Sequence, residues 1–399
     1  MSNNVVTVHP DGTGTVVLEG LPPATIHAAT PEETRNALIE QVIAHAKRVS
    51  RPLEVIAHDG DEEGVSLLIH PDGTITTAPP ATPDPDTPPT ISLMPPRRSF
   101  LDEQAPEEPA RQGWRGLFTS LGLRIAPGPA ERAERADIQA VSQHWPGPRT
   151  IAVVNGKGGA SKTPTTILLS AVLARYGGAG VLAWDNNQTR GTLGWRTEQG
   201  PHDATVLDLL PHTDRLLGTQ AQSADLAQFM HHQTGDRFDV LRSQPLELAA
   251  AQRVNATDVD AIHAVAVKYY RVVLMDSGND ESDPMWKRMI NHTDQLVVAT
   301  TTRNDHAEAG RLLLEALARR DLAGATLAQN AVVIVSQADP GAKPTAITRI
   351  TNGFQGLVRE VVTIPYDPAM VGGRLSFTAL RPMTQRAWLR AAAAVARGL

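Results

Sequence analysis

The chain has 399 residues, enough for two or three domains, and its 41% hydrophobic and 20% charged residues are an ordinary balance for a protein with a sizeable core. A formal net charge of −6 argues against a protein whose main task is coating nucleic acid, while leaving open a local basic patch formed on dimerisation. With no cysteine, a disulfide framework, a thiolate zinc site and a Cys-ligated iron–sulfur cluster are all excluded.

Residues 1–20 lack the basic start and continuous apolar core of a signal peptide. No run approaches the roughly 18–20 apolar residues of a membrane span. A cytoplasmic protein is expected, free or peripheral to membrane or nucleoid. Residues 1–77 read as a small α+β docking module. Strands over 5–8 and 15–18 flank a D-G-T-G turn at 11–14, a hairpin signal. Thr30-Pro31-Glu32-Glu33 offers an N-cap, a proline in the first turn and early acids, followed by Leu38, Ile39, Val42, Ile43 and Ala46 at helical spacing. Two more strands are expected over 53–57 and 65–69, with a second turn at Pro71-Asp72-Gly73. His58 and Asp59 read as solvated beside an acidic loop.

Residues 78–148 read as a linker, opening with P-P-A-T-P-D-P-D-T-P-P, which is extended and semi-stiff because it has too little to bury. Arg97-Arg98-Ser99-Phe100-Leu101 interrupts it with a basic and apolar cluster. The stretch 112–123 places Trp114, Leu117, Phe118, Leu121 and Leu123 on roughly one helical face. It is either an amphipathic anchor for a partner or membrane, or a helix packed back onto the following domain. The scarcity of bases, Arg115 and Arg124 alone, favours packing. A polar helix over 130–143 leads onward.

From 149 to 399, apolar strands alternate with helices, which predicts a doubly wound, mostly parallel α/β sheet. Strands are expected over 151–154, 180–184, 238–241, 272–275, 295–300, 331–335 and 361–364, and helices over 162–176, 258–269, 306–319 and 379–397. The last helix, with Trp388, Leu389 and Val395, suits a closing element better than a membrane-seeking tail.

The chemistry begins at I-A-V-V-N-G-K-G-G-A-S-K-T-P-T-T, residues 151–166. A buried strand breaks into Gly156, Gly158 and Gly159 and re-enters a helix, so backbone N–H groups and a helix N-terminus converge as a phosphate cradle. The P-loop pattern places Lys162 on the β- and γ-phosphates and Thr163 on Mg²⁺. Ser161 stands where its second glycine belongs, and Lys157 adds an early lysine.

That K-G-G-x-x-K-T arrangement resembles the deviant Walker A motif of the ParA/MinD family of P-loop ATPases. The resemblance implies ATP and Mg²⁺ as ligands, and a homodimer in which Lys157 crosses to the partner's nucleotide. The phosphate cradle then comprises Gly156, Lys157, Gly158, Gly159, Ala160, Ser161, Lys162, Thr163 and Pro164. V-L-A-W-D-N-N-Q resembles switch I of the family, with Asp185 as its first acid and Asn187 where many members carry a second. Val272-Val273-Leu274-Met275-Asp276-Ser277-Gly278 matches Walker B and switch II, with Asp276 in the Mg²⁺ shell and Gly278 near the γ-phosphate. Thr163, Asp185 and Asp276 are thus the implied metal site, partly through water. The family's base-bordering loops match Gln337 in S-Q-A-D-P, and Pro365 and Asp367 in I-P-Y-D-P. The N-terminal module, linker and R-x-S-F-L cluster are similar to MinD-like ATPases associated with type VII secretion or mobile elements. The absence of cysteine disfavours the cluster-carrying branches of the superfamily.

Three departures bear on mechanism. Ser161 puts a Cβ at a glycine position, Pro164 removes an N–H from the first helical turn, and Asn187 can hydrogen-bond water but cannot take its proton. ATP binding with slow hydrolysis is therefore expected, in a nucleotide-dependent dimerisation switch that positions or assembles a larger machine. The partner protein would dock on residues 1–77 or on the switch regions. Two alternatives stay open: a pseudo-ATPase scaffold of the same fold, and a DNA-partition ATPase using Arg303, Arg311, Arg319 and Arg320. No metal-ligand spacing stands out among the 13 histidines beyond the adjacent His231 and His232.

Overall fold

A computed structural model of the protein describes residues 4–9, 12–28, 30–59, 64–77, 107–178, 180–187, 191–243 and 254–399. The proline-rich stretch, the cluster at 97–101 and residues 188–190 of the switch I motif lie outside them. The chain divides into two compact units, Met1–Ala133 and Glu134–Leu399.

The first unit is a six-stranded sheet in the order β3-β2-β1-β4-β5-β6. Its strands are β1 Val5–Val8, β2 Thr13–Val17, β3 Ala24–His27, β4 Leu53–Asp59, β5 Val65–Ile69 and β6 Ile75–Thr77. β1 runs parallel to β4 because the helix Pro31–Val49 carries the chain across, while the other neighbours are antiparallel. Thr30 caps that helix by accepting from the Glu33 N–H. Alternate strand residues such as Val6, Val8, Val55 and Leu67 meet Leu38 and Val42 in one core. Strand β3 was not legible in the sequence, since Pro22-Pro23 precedes it and its residues are at most half-buried.

The amphipathic stretch behaves differently from expectation. Its helix, Gly113–Ser120, places Trp114 and Phe118 inside the core of this first unit, their rings stacked at 5.8 Å. Trp114 and Phe118 are therefore spent on the core of the first unit rather than on the following domain. Asp59 is also recruited rather than solvated. It accepts from the Trp114 N–H at 2.7 Å and pairs with Arg35 at 2.8 Å, holding the start of the helix.

The second unit is an eight-stranded sheet in the order β14-β13-β12-β7-β11-β8-β10-β9. Its strands are β7 Arg149–Val154, β8 Val181–Asn186, β9 His231–His232, β10 Asp239–Leu241, β11 Val272–Ser277, β12 Gln295–Thr301, β13 Val332–Ser336 and β14 Glu360–Ile364. All neighbours are parallel except β9 and β10. The central strands are apolar without alternation because helices cover both faces. Helices Lys162–Gly177 and Pro382–Ala396 fill one face, through residues such as Ile167 and Trp388. Ala256–Tyr269, Pro284–Asn291 and Asn304–Arg320 fill the other, through Ile262, Met289 and Leu313. Trp388, Leu389 and Val395 are buried, so the last helix closes the fold as expected.

Candidate functional site

β7, β11 and β8 lie side by side and end together, and their carboxyl ends collect every polar group of the glycine-rich loop and its neighbours. The loop is anchored by a residue the sequence reading passed over. Asn155, fully buried, accepts from the Lys157 N–H at 2.9 Å and donates to the carbonyls of Ala299 at 2.8 Å and His306 at 3.0 Å. An asparagine at a strand end beside a glycine turn is a legible Asx signal. Gly159 then turns with φ 79°. Ser161 sits at φ 67°, ψ 23°, in the left-handed region, which costs a residue with a Cβ about 1–2 kcal/mol. The glycine missing from the motif is thus missed by the backbone itself.

Lys162 opens the helix and is buried, with its Nζ donating to the carbonyls of Asn155 at 2.9 Å and Lys157 at 3.1 Å and to Asn279 Oδ1 at 2.6 Å. Burial pushes its ammonium down, and the nearby Asp276 opposes that. Thr163 donates to Asp276 Oδ2 at 2.6 Å and meets Thr192 Oγ1 at 2.9 Å.

Asp276 and Asp185 face each other across the β11–β8 ladder, where they are register partners. Both are buried, and burial raises both carboxyls; the Asp276 charge raises Asp185 further. Ser243 donates to Asp185 Oδ2 at 2.9 Å, yet among the described residues Asp185 Oδ1 and Asp276 Oδ1 are buried without a hydrogen-bond partner. A side chain at Gly191 would collide with Asp185 and Ser243, so the chain returning from switch I packs directly on the acid. Two adjacent buried acids, two orphaned oxygens and a threonine hydroxyl form a donor set that suits a hard divalent cation. No group of three His, Cys, Asp or Glu among the described residues could hold a metal by itself, so phosphate and water would have to complete the shell.

These groups border a cleft of about 560 Å³, within the range of roughly 300–1,000 Å³ of small-molecule sites. Gly158, Gly159, Ser161, Lys162, Thr163 and Pro164 line one end, with Asn187 and Asp276 beside them. Gln337 and Asp367 line the other end, near Trp195, Arg196 and Met370, which the sequence reading did not anticipate. Trp195 and Arg196 come from a short turn just after switch I that carries no recognisable signal of its own. Arg196 donates to the Met370 and Gly373 carbonyls, tying that turn to the last loop. Asp367 commits both carboxylate oxygens to backbone, the N–H groups of Ala369 and Arg381. Gly156, Lys157, Ala160, Asp185 and Pro365 are not among the residues that line it. Lys157 is exposed and has no ion pair among the described residues. Asn187 lies beside Gly278, its Oδ1 3.5 Å from where a Cβ there would sit.

No family model matches the chain. It is 27% identical over 292 residues to the ESX-1 secretion-associated protein EspI of Mycobacterium tuberculosis, in both the CDC 1551 / Oshkosh and H37Rv strains. The match takes in 72% of this chain, and the chain spans 42% of the length of those relatives. Among solved structures, a ParA family ATPase from Chlorobium tepidum TLS superposes with a TM-score of 0.51 at 17% identity, over 62% of this chain and 98% of that one. The chain has the ParA/MinD ATPase fold. The cell division ATPase MinD of Pyrococcus furiosus aligns at a TM-score of 0.45 and 19% identity, over 63% of this chain and 97% of its own. The expected fold class is borne out, and the expected likeness to secretion-associated members meets EspI.

Two further expectations can be placed on this ParA/MinD-like unit. The arginines offered to nucleic acid are each paired: Arg303 with Asp305, Arg311 and Arg319 with Glu315, and Arg320 with Asp321. Their positive charge is largely matched locally, so this surface is a poor phosphate track. No helix among the described residues is long and apolar enough to cross a membrane.

Proposed function

We propose that the second unit is an Mg²⁺·ATP-binding switch that dimerises on nucleotide, hydrolyses slowly and positions or assembles a larger secretion-associated machine. The observation that carries this reading is the convergence of Lys162, Thr163 and Asp276 at one end of a single cleft, with Asp185 buried beside Asp276 as its partner on the neighbouring strand. Thr163, Asp276 and, through water, Asp185 would hold Mg²⁺, which when bound neutralises phosphate charge. Lys162 binds the β/γ end of the nucleotide, and the backbone of 157–163 orients it. Gln337, Pro365 and Asp367 shape the base end, Asp367 by fixing its own loop.

Asn187 orients water without accepting its proton, and Pro164 gives no N–H to the phosphates, so turnover is slow. These same two residues favour the second reading, a scaffold that binds ATP and never turns it over. The family-type dimer assigns Lys157, exposed and without an ion pair among the described residues, to the partner subunit's phosphates. The secretion role rests on EspI, and docking of a partner on the first unit or on the switches belongs to the same proposal.

Light scattering of the full chain with saturating Mg²⁺ and a non-hydrolysable ATP analogue tests it. A dimer that forms with nucleotide and weakens in Lys157→Ala is expected. A protein that stays monomeric at saturation removes the switch.

A further inference from the structure

A residue outside every motif contacts the same lysine. An ammonium has three N–H donors, and those of Lys162 are all used: two on carbonyls of its own loop and the third on Asn279 Oδ1, the shortest of the set at 2.6 Å. The carbonyls of Asn155 and Lys157 belong to the loop that Asn155 pins to β12, so they cannot withdraw without dismantling it. Asn279 belongs to a different segment, just after β11, and is exposed at the cleft wall.

That segment lies over the phosphate loop at more than one point. The Asn279 amide nitrogen is 3.7 Å from where a Cβ on Gly158 would sit, and Glu281 Oε1 is 2.6 Å from the corresponding point on Gly156. Its two ends are fixed. Asp276 is held by Thr163, and Asp283 caps the helix Pro284–Asn291 by accepting from the Met285 N–H at 2.8 Å. Movement is thereby confined to the residues between these anchors.

We propose that Asn279 is a latch: it occupies the position on Lys162 that a nucleotide phosphate must take, so phosphate binding releases switch II. This rests on the nucleotide reading above. A phosphate oxygen makes a charge-assisted bond to the ammonium on both sides and displaces the neutral amide. The Asn279 side chain then leaves the lysine, and the residues between the two anchors are free to lift with it. Asn279 is a positioning residue here: it acts through Lys162 and reports nucleotide to whatever reads switch II.

The test uses the full chain, Mg²⁺ and the ATP analogue AMP-PNP, with calorimetry for affinity and hydrogen exchange for the peptide spanning 277–283. In wild type, exchange of that peptide should rise on binding. Asn279→Ala should bind AMP-PNP about tenfold more tightly, with exchange already high and no longer responsive. Asn279→Asp gives Lys162 a charged partner and should bind about tenfold more weakly. Asn279→Ala with wild-type affinity and a wild-type exchange response overturns the latch while leaving the site intact, provided Lys162→Ala abolishes binding. Absence of AMP-PNP binding by wild type overturns the nucleotide reading, and the latch with it.

Discussion

Two polar clusters sit at opposite ends of the same sheet, and they are built on opposite terms. At the carboxyl end, Asp185 and Asp276 are buried side by side, their carboxyls pushed up by burial, each with an oxygen left unpartnered among the described residues. At the amino end, Asp260 takes a bidentate pair from Arg288 and a 2.6 Å contact from His292, which draw its carboxyl down to about 2. His263 stacks on His292 at 4.1 Å and meets Thr150 Oγ1 at 2.9 Å, while Asp294 accepts from the Thr150 N–H. Among the described residues, none of these amino-end side chains has a buried atom without a partner. The lower cluster is complete by itself and holds the fold. The upper one is incomplete in protein alone, which is what a binding site requires.

The largest expected effect exploits that contrast in sign. A carboxyl raised above its usual range makes its charge unfavourable to the folded state, so stability is lost as pH rises through the raised value. Asp276→Asn should therefore stabilise the ligand-free protein by about 1–3 kcal/mol at neutral pH and erase the stabilisation given by Mg²⁺·ATP. Asp260→Asn, which removes a carboxylate held in its charged form, should destabilise by about 1 kcal/mol and leave ATP-induced stabilisation unchanged. Thermal melts with and without Mg²⁺·ATP read both. Matching signs at the two ends would dissolve the distinction.

The next effect concerns turnover at the upper end. Asn187→Asp restores a group that can take a proton from water, and Pro164→Thr restores a donor on the phosphate side. If either group is worth about 1.4–3 kcal/mol in the transition state, repair raises kcat roughly tenfold or more. Steady-state ATPase assays on both single variants and the double decide it; fast wild-type turnover with no gain in any variant would mean that another group holds the water.

The smallest effect belongs to the lower end. Burial, with the neighbouring His292, pushes His263 down to about 4 from its usual 6.5. Its depressed folded value means that it contributes fully above pH 6.5 and that this contribution fades as pH falls toward 4. Asp260, also depressed, gives way only at lower pH, below its usual range. His263→Gln should flatten the stability profile between these two values without altering nucleotide affinity, as read by denaturation across pH.

The upper cluster was largely legible because its parts lie in motifs. Glycines at 156, 158 and 159, the lysine–threonine pair and two acids at strand ends announce themselves by spacing. Asn279, Ser243 and Thr192 did not, since each reaches the site from a loop with no periodicity, and their roles depend on which strands become neighbours. The lower cluster was invisible for the same reason. His263 is one polar residue in a helix, and only the β7–β12 pairing brings Asp294 to Thr150. In the first unit, the helix of Trp114 was legible and its docking place was not, because an apolar face specifies burial without naming its partner.

Calorimetric titration of Mg²⁺·ATP into wild type and Lys162→Ala tests the central claim, that this cleft binds nucleotide through that lysine. Saturable binding by wild type, and binding at least a hundredfold weaker in a variant that still melts cooperatively, is the predicted result; a hundredfold is about 2.7 kcal/mol, ordinary for a charged contact to phosphate. Equal affinity in the two proteins, or no binding by wild type, would contradict it.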